Sequence, residues 1–333
     1  MQIILSGQIL HSARCLEDKC HSISLSIAPL IWSGDITKAI IVTTITLSRL
    51  GEELPAVVTA PFIQSNLVET KAMLSGLSDE TILGYPVMTN RTKALAIELL
   101  GKLMVCVVMA ATDKALASII PLKMVQLSLT YGMSPHSNSG FAHYGNYLAF
   151  CRGEYEEGYR YVKMALTLGR RNSTVNFFST HTKMIIEPMQ STAEFYLEAS
   201  KAAMKSGTPG VPASLCSYEY LSFFGGKKLD AAVESLKESI KQVKFHKSLG
   251  VVAVLLSMFR LAMRMIDQPG IPENGELTLT DASGKTLDEK DIAAKFKPLA
   301  LSNSFNNAYE ALLFREFDKA KESTEAFFSI QKD

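Results

Sequence analysis

The sequence predicts an all-α fold, a right-handed superhelix of antiparallel helix pairs, and three observations support this prediction. Apolar residues recur with the 3.6-residue period of a helix along much of the chain. Short segments that contain Gly or Pro interrupt these runs at residues 51–55, 84–86, 131–135, 207–212 and 269–275. One local pattern occurs four times. Helices joined by short turns pack as antiparallel neighbours, and repeated pairs stack into a solenoid.

Three segments have the clearest apolar stripes, which a core could bury. The stripe residues are Leu95, Ile97, Leu99, Leu100, Leu103, Met104 and Val107 in the first, Val233, Leu236 and Ile240 in the second, and Leu255, Met258, Leu261, Ala262 and Met265 in the third. Strand signals are few. Residues 276–280 are Glu-Leu-Thr-Leu-Thr, but the Pro and Gly residues before them favour a loop or a short extension.

The repeated pattern gives the most specific prediction. Each copy has a turn residue, then a bulky apolar residue, then a small residue three positions later, with two further positions four and seven residues beyond the small one. The turn residues are Gly34, Gly153, Gly226 and Arg315; the bulky residues are Ile36, Tyr155, Leu229 and Phe317; the small residues are Ala39, Gly158, Ala232 and Ala320; the later positions are Thr43 and Thr46, Val162 and Ala165, Leu236 and Ser239, and Thr324 and Phe327. The third copy has an extra residue after its glycine, the fourth has arginine in place of glycine, and the copies are irregularly spaced.

A helical hairpin explains this pattern physically. The bulky residue closes the turn, the small residue lets two helices approach closely, and the two later positions lie on the same helix face. We therefore expect the four small residues to lie where two helices nearly touch. The pattern resembles the second half of a tetratricopeptide repeat in a divergent form.

Composition and charge argue against several classes of function. Hydrophobic residues make up 47% of the chain and charged residues 20%, which is typical of a globular protein. Lys and Arg total 34 against 33 for Asp and Glu, so the net charge of +1 gives no case for a nucleic-acid or anionic-membrane partner. The start of the chain lacks the features of a signal peptide, and the apolar stretches fall short of the roughly 20 residues that span a bilayer. We expect a cytoplasmic protein.

The cysteines favour free thiols over disulfides or a metal site. They are Cys15, Cys20, Cys106, Cys151 and Cys216, an odd number scattered along the chain, which is typical of a reducing cytosol. His11, Cys15, Cys20 and His21 are the nearest approach to a zinc site. The spacing between the two cysteines exceeds the usual two to four residues, and no second pair lies nearby. We expect no metal and no cofactor.

Several motifs occur in combination and point to one family. They are LGEELP at residues 50–55, GYPVMT at 84–89, KMVQLSLTYGMS at 123–134, Tyr144-Gly145, GEYEEGY at 153–159 leading into Ala165-Leu166, and Gly225-Gly226 before Leu229. With these motifs, residues 1–330 resemble the helical region of STAND proteins, the signal-transduction ATPases with numerous domains. The relevant members also carry a serine/threonine kinase-like domain, a nucleotide-binding domain, a GAF domain and an output such as a histidine kinase.

The resemblance implies that ATP binding and phosphotransfer belong to neighbouring domains. A P-loop needs Gly-x-x-x-x-Gly-Lys-Ser/Thr, and the nearest match, Gly284-Lys285-Thr286, has Leu279 in place of the first glycine. Neither His-Arg-Asp nor Asp-Phe-Gly of a kinase occurs. We expect one divergent helical-repeat array over residues 1–330, with a tail at 331–333, belonging to a larger multidomain protein.

His143, Tyr147 and Phe150 are candidates for partner contact, because they share one face of the helix before Gly153. By analogy with tetratricopeptide arrays, in which the first helix of each hairpin lines an inner groove, they could contact a peptide or a neighbouring domain. The alternative is that Phe150 packs in the core and His143 is simply exposed.

A serine and histidine cluster is a weaker candidate for catalysis. Its members are Ser134, Ser137, Ser139, His136 and His143. The sequence has no Gly-x-Ser-x-Gly elbow here, and Asp and Glu are missing from residues 130–152. A turn whose serines cap the next helix explains the same residues.

The function we expect is non-enzymatic. The chain would be a scaffold that binds a protein, a peptide or the neighbouring domains of its own polypeptide, and that couples sensing to the ATPase and kinase output. Two alternatives remain. One is a stand-alone peptide-binding solenoid, and the other is an enzyme with an unrecognised helical active site.

Overall fold

Helices make up most of the part of the chain that the computed structural model describes. The described residues are 15–32, 35–110, 113–169, 173–206, 210–246, 248–266 and 296–332, together with Asp288, Ile292 and Ala293. They form fifteen helices: α1 Leu16–Trp32, α2 Ile36–Arg49, α3 Ala60–Leu74, α4 Asp79–Leu83, α5 Arg91–Ala110, α6 Lys114–Tyr131, α7 Ser137–Arg152, α8 Tyr155–Leu168, α9 Ser173–Ile186, α10 Met189–Ser206, α11 Val211–Phe224, α12 Leu229–Phe245, α13 Leu249–Met265, α14 Lys297–Leu313 and α15 Phe317–Lys332.

The prediction of an all-α fold is confirmed for these residues. Their one extended feature is an isolated parallel bridge between Val87 and Met133. The candidate strand at residues 276–280 lies outside the described residues. No helix in the described ranges combines the length and the apolar content needed to cross a membrane.

Side chains at helix starts explain where several helices begin. The Thr59 hydroxyl accepts a hydrogen bond from the Phe62 amide at the start of α3, at 3.4 Å. The Asp113 carboxylate accepts one from the Leu116 amide at the start of α6, at 2.8 Å. Each cap satisfies an amide that has no partner within its own helix.

The helices divide into two compact units, Met1–Ile186 and Glu187–Asp333. In the first unit α1 pairs with α2 and both pack on α5, while α3 packs on α6. Helix α6 packs on α7, α7 packs on α8, and α9 packs on both α7 and α8. In the second unit each helix from α10 to α15 packs on the next, and α13 also packs on α11. The single array expected over residues 1–330 stays a prediction.

The predicted apolar stripes line the cores. Leu99 and Leu103 of α5 are completely buried in one cluster of the first unit, and a second cluster there surrounds Tyr144 and Tyr161. The core of the second unit contains the stripes of α12 and α13, including Leu236. Burying a side chain of this size contributes about 1.5–3 kcal/mol. Helical periodicity therefore predicted which face of these helices is buried.

Candidate functional site

Two of the motifs that carry the family resemblance meet in the structure. The Met133 amide donates a hydrogen bond to the Pro86 carbonyl at 2.8 Å, and the Met88 amide donates to the Met133 carbonyl at 3.0 Å. These bonds form the parallel bridge between the segments after α4 and α6. Gly132 has φ +101°, and a Cβ on it would lie 2.6 Å from the Pro86 carbonyl oxygen. Only glycine allows the two segments to come this close.

The turns of three copies of the pattern place their turn residue in the left-handed region of backbone space. The φ angles are +71° at Gly153, +92° at Gly226 and +60° at Arg315. This conformation costs a non-glycine residue roughly 1–2 kcal/mol, so Arg315 occupies a position that favours glycine. The corresponding residue of the first copy, Gly34, lies outside the described residues.

Hydrogen bonds across these turns satisfy the last carbonyl groups of the preceding helix. The Lys227 amide donates to the Ser222 carbonyl at 3.0 Å, and the Glu316 amide donates to the Ala311 carbonyl at 2.8 Å. Both bonds reach back five residues, as in a Schellman motif. The turn at Gly153 is related but wider, because the next amide reaches back six residues, to Leu148, at 3.0 Å.

The four small residues of the pattern occupy the same place in their helices. The backbone amides of the four small residues donate hydrogen bonds to the carbonyl groups of Asp35, Glu154, Lys228 and Glu316, respectively, at 2.9–3.0 Å. In each case the acceptor is the residue directly before the first residue of the helix. All four are buried. The bulky residues are placed less uniformly. Ile36 and Leu229 are half-buried, whereas Tyr155 is 49% and Phe317 67% exposed.

Gly158 lies at a very close crossing of α7 and α8. A Cβ on Gly158 would lie 2.5 Å from the carbonyl oxygen of Gly145, and one on Gly145 would lie 2.5 Å from the carbonyl oxygen of Gly158. Such contacts are far below the 3.5–4.0 Å optimum for non-bonded heavy atoms. Both glycines are therefore required by the packing. Val162 and Ala165, on the same face of α8, are fully buried.

The three predicted groove residues do not share an accessible surface. His143 is 1% exposed and Tyr147 8% exposed, whereas Phe150 is 55% exposed. The alternative interpretation of an exposed His143 and a core Phe150 is also wrong for both residues. The reason is that α6, α8 and α9 all pack against α7, so most of its circumference is buried.

His143 is an unusual buried histidine. Neither ring nitrogen has a hydrogen-bond partner among the described residues, and its ring lies 4.3 Å from that of Phe178, between centroids. Burial, together with the nearby His181, lowers its pKa from 6.5 to about 3. His143 is therefore neutral at physiological pH and acts as a core residue.

The serines of the serine and histidine cluster bond to one another and to the backbone of the turn before α7, whose N-cap residue His136 has no side-chain cap. The Ser137 hydroxyl accepts hydrogen bonds from the Ser134 amide at 2.9 Å and from the Ser128 hydroxyl at 2.7 Å. The His136 ring faces Glu98, with 3.9 Å between Nε2 and Oε2. Within the described residues no hydrogen bond joins a ring nitrogen of His136 or His143 to a serine hydroxyl.

The zinc candidate can be followed only in part, because His11 lies outside the described residues. Cys15 is exposed and Cys20 is buried. Among the described residues no three His, Cys, Asp or Glu side chains lie close enough together to share a metal ion.

A partly buried polar network in the first unit was missed from the sequence. The Ser24 hydroxyl in α1 donates to the Glu98 carboxylate in α5 at 2.6 Å, and the Lys102 ammonium donates to Glu98 at 2.8 Å and to the Ser24 carbonyl at 2.9 Å. Burial alone would raise the pKa of Glu98, but Lys102 and Ser24 lower it. The network joins α1 to α5, and periodicity could not reveal it because the partners are 74 residues apart.

The second unit has a comparable buried acid. Glu219 in α11 is 1% exposed and accepts hydrogen bonds from the hydroxyls of Ser235 at 2.7 Å and Ser239 at 2.6 Å, both in α12. Ser239 is a position of the repeated pattern, so its burial was expected. Its acceptor, on the preceding helix, had no signal in the sequence.

An open cleft of about 340 Å³ lies between α13, α14 and α15 in the second unit. Its charged lining consists of Arg264, Glu310, Glu316, Lys319 and Glu322. Arg264 pairs with Glu310 at 2.5 Å and Lys319 with Glu316 at 2.8 Å. Because the opposite charges nearly balance, the cleft has no marked preference for a charged ligand.

No protein-family model matches the chain, and no curated protein matches it either.

Proposed function

We propose that the chain is a non-catalytic scaffold built as a divergent, tetratricopeptide-like helical array. The observation that carries this proposal is the agreement between the repeated sequence pattern and local geometry. Four small residues at equivalent positions are buried at the same place in four helices. Each of the three turns whose turn residue lies in the described part of the chain uses a left-handed residue. Arrays of this kind serve as extended binding surfaces.

We further propose that this scaffold belongs to a STAND-type signalling protein, in which it binds a partner or adjacent domains. The motifs described above support the relationship, and two of them pair through the bridge between Val87 and Met133. Coupling would proceed by a shift between closed and open packings of the helices, driven by a partner that binds one packing better. On this proposal ATP hydrolysis and phosphotransfer take place in other domains.

Two measurements test the proposal. Titration calorimetry with Mg·ATP should show no stoichiometric binding to the isolated chain, because its sequence lacks a P-loop and kinase motifs. Tight binding would contradict the non-catalytic role. Sequencing the gene on both sides should reveal nucleotide-binding and kinase motifs in the same reading frame. Stop codons directly flanking this segment would favour the stand-alone peptide-binding solenoid instead.

A further inference from the structure

Polar side chains dominate the buried part of the contact between α9 and the hairpin α7–α8. Among the described residues of α9, those that are buried are Ser179, Thr182 and Lys183. The Thr182 hydroxyl donates a hydrogen bond to the side-chain oxygen of Asn146 on α7 at 2.6 Å, whereas the Ser179 hydroxyl has no hydrogen-bond partner within the described ranges. Burying polar groups stabilises a contact much less than burying apolar ones, and an unpartnered hydroxyl loses the hydrogen bonds that it makes in water.

The hairpin beneath α9 is packed in the opposite way. Its helices touch at Gly145 and Gly158, and Tyr161, Val162 and Ala165 bury apolar surface on α8. Among the described helices, α9 makes substantial contacts with α7 and α8 alone, and it is the last helix of the first unit. Because local openings involve the elements that bury the least apolar surface, α9 can detach while the hairpin stays folded.

His143 lies in this contact. We call the contact the α9 seam and define it by His143 and Asn146 of α7 and Phe178, Ser179 and Thr182 of α9. The ring centroid of Phe178 lies 4.3 Å from that of His143. Neither nitrogen of the His143 ring has a hydrogen-bond partner in the described part of the chain. When the seam is closed nothing replaces the water that His143 has lost, so opening the seam would restore two hydrogen bonds.

The charges around His143 do not favour its protonation in the closed seam. His181 of α9, whose ring lies 6.0 Å from that of Phe178, acts on His143 through its charge and adds to the lowering of its pKa by burial. Two carboxylates on helices packed against α7 act elsewhere, Glu98 of α5 on His136 and Glu157 of α8 on Tyr144. The remaining described ionisable side chains of α6, α8 and α9 that are buried or half-buried are cations or phenols: Lys123, Tyr159, Arg160, Tyr161 and Lys183.

We propose that the α9 seam is an acid-sensitive switch, in which protonation of His143 releases α9 from the hairpin α7–α8 while the hairpin stays folded. In the closed seam His143 is neutral. In the open seam water surrounds its ring, which then takes up a proton from solvent at the free nitrogen. A proton that binds the open state better than the closed state shifts the equilibrium toward the open state as the pH falls.

The pH window follows from the two pKa values of His143. The pKa is about 3 in the closed seam and returns to its ordinary 6.5 when the ring is hydrated. The closed seam therefore has its full stability above pH 6.5 and loses it progressively as the pH falls toward 3. The switch goes beyond the proposed function, because it holds whether or not the chain belongs to a signalling protein.

Hydrogen exchange of the whole chain tests the switch. At pH 7.5, after correction for intrinsic rates, the amides of α9 should exchange at least about tenfold faster than those of α8, because α9 opens by itself. Their exchange should also depend less steeply on urea, since a local opening exposes less surface than unfolding. Between pH 7.5 and pH 5.0 the equilibrium constant for opening α9 should rise about 30-fold, since it increases about tenfold for each pH unit below 6.5.

Variants show whether His143 is the sensor. His143→Leu and His143→Gln both lack a titratable group, so both should abolish the rise in the opening constant of α9. The glutamine variant keeps a polar side chain at the position. His136→Gln is the matched control, because His136 is the N-cap residue of α7 and its side chain is 43% exposed. This variant should keep the 30-fold rise, since His136 lies outside the seam.

Three results would overturn the proposal. Equal protection of α9 and α8 at pH 7.5 would show that α9 does not open separately. A rise of less than about threefold between the two pH values would show that no buried group of this kind titrates on opening. A full rise in both His143 variants would assign the pH dependence to another group. None of these results bears on ATP binding or on the flanking gene sequence.

Discussion

Gly145 and Gly158 face each other across the α7–α8 crossing so closely that a Cβ on either would lie 2.5 Å from the carbonyl oxygen of the other. The obstructing atoms belong to helix backbones, which cannot move aside as the end of a flexible side chain can. The crossing therefore places a residue of the repeated pattern where two helix backbones meet directly.

Gly158→Ala should destabilise the protein by about 1–3 kcal/mol through overpacking. In an unconstrained helix the same change stabilises by about 1 kcal/mol, because alanine has the higher helix propensity. Gly101→Ala in α5 is the matched control, since a Cβ there meets only Met124 Cε at 3.6 Å and Ser139 Oγ at 3.8 Å. Urea denaturation should give opposite signs for the two variants. A stabilising Gly158→Ala would contradict the close crossing.

Arg315→Gly should stabilise the second unit by about 1 kcal/mol, because arginine is held at φ +60° and glycine avoids the left-handed penalty. Arg315→Ala retains the Cβ and should give no such gain. Gly226→Ala, at φ +92°, should lose stability. Thermal unfolding of the three variants measures this order. Equal melting temperatures for Arg315→Gly and Arg315→Ala would argue against the left-handed turn.

Ala320→Leu should cost about 1–3 kcal/mol, because Ala320 is 4% exposed and added atoms would overpack the α14–α15 seam. Lys237→Gln is the control. It breaks only an exposed pair with Glu234 and should change stability by less than about 0.5 kcal/mol.

Hydrogen exchange shows where the Ala320→Leu damage lies. In a repeat protein the loss should be local first, so protection should fall around residues 300–330 and remain around residue 155. If Ala320→Leu leaves exchange and stability unchanged while Lys237→Gln is disruptive, the assignment of the repeat positions is wrong.

His143 should make the stability depend on pH. Its pKa is about 3 in the folded protein against an ordinary 6.5, so between these values the unfolded chain binds a proton that the folded protein does not. The free energy of unfolding should therefore fall as the pH is lowered from 6.5 toward 3, by up to about 1.4 kcal/mol per pH unit. His143→Leu removes this contribution. Denaturation at pH 7.5, 6.0 and 5.0 should show that the free energy of unfolding of the variant rises relative to that of the natural protein as the pH falls. If the two free energies depend on pH in parallel, His143 is not responsible.

Local sequence signals predicted much of the fold. The stripe that contains Leu99 and Leu103 showed which face of α5 is buried in the core. The interpretation of Ser134 and Ser137 as turn residues agrees with the hydrogen bonds that they make, although α7 has no side-chain cap. Each of these features depends on residues within a few turns of one another, which is the range over which periodicity and capping act.

The candidate contact residues were not predicted correctly, and α7 shows why. Its sequence mixes small, polar and aromatic residues without one apolar stripe, so spacing could not tell whether His143 or Phe150 faces the core. Three neighbouring helices decide this in the folded protein. The exposure of Phe328 in the last hairpin was missed for the same reason. Phe328 is exposed because no helix among the described residues packs against it, and no local feature of the sequence at that position indicates this.

By itself the sequence determined the helices, their turns and the four small residues of the pattern, because these follow from backbone sterics and hydrogen bonds between near neighbours. Only the tertiary structure decided that Gly145 opposes Gly158, that Ser239 donates to Glu219 and that His143 is buried with no hydrogen-bond partner among the described residues. Burial and close approach depend on segments that are distant in sequence. The free energy that burial and close approach contribute therefore depends on several packed helices together and not on any single helix.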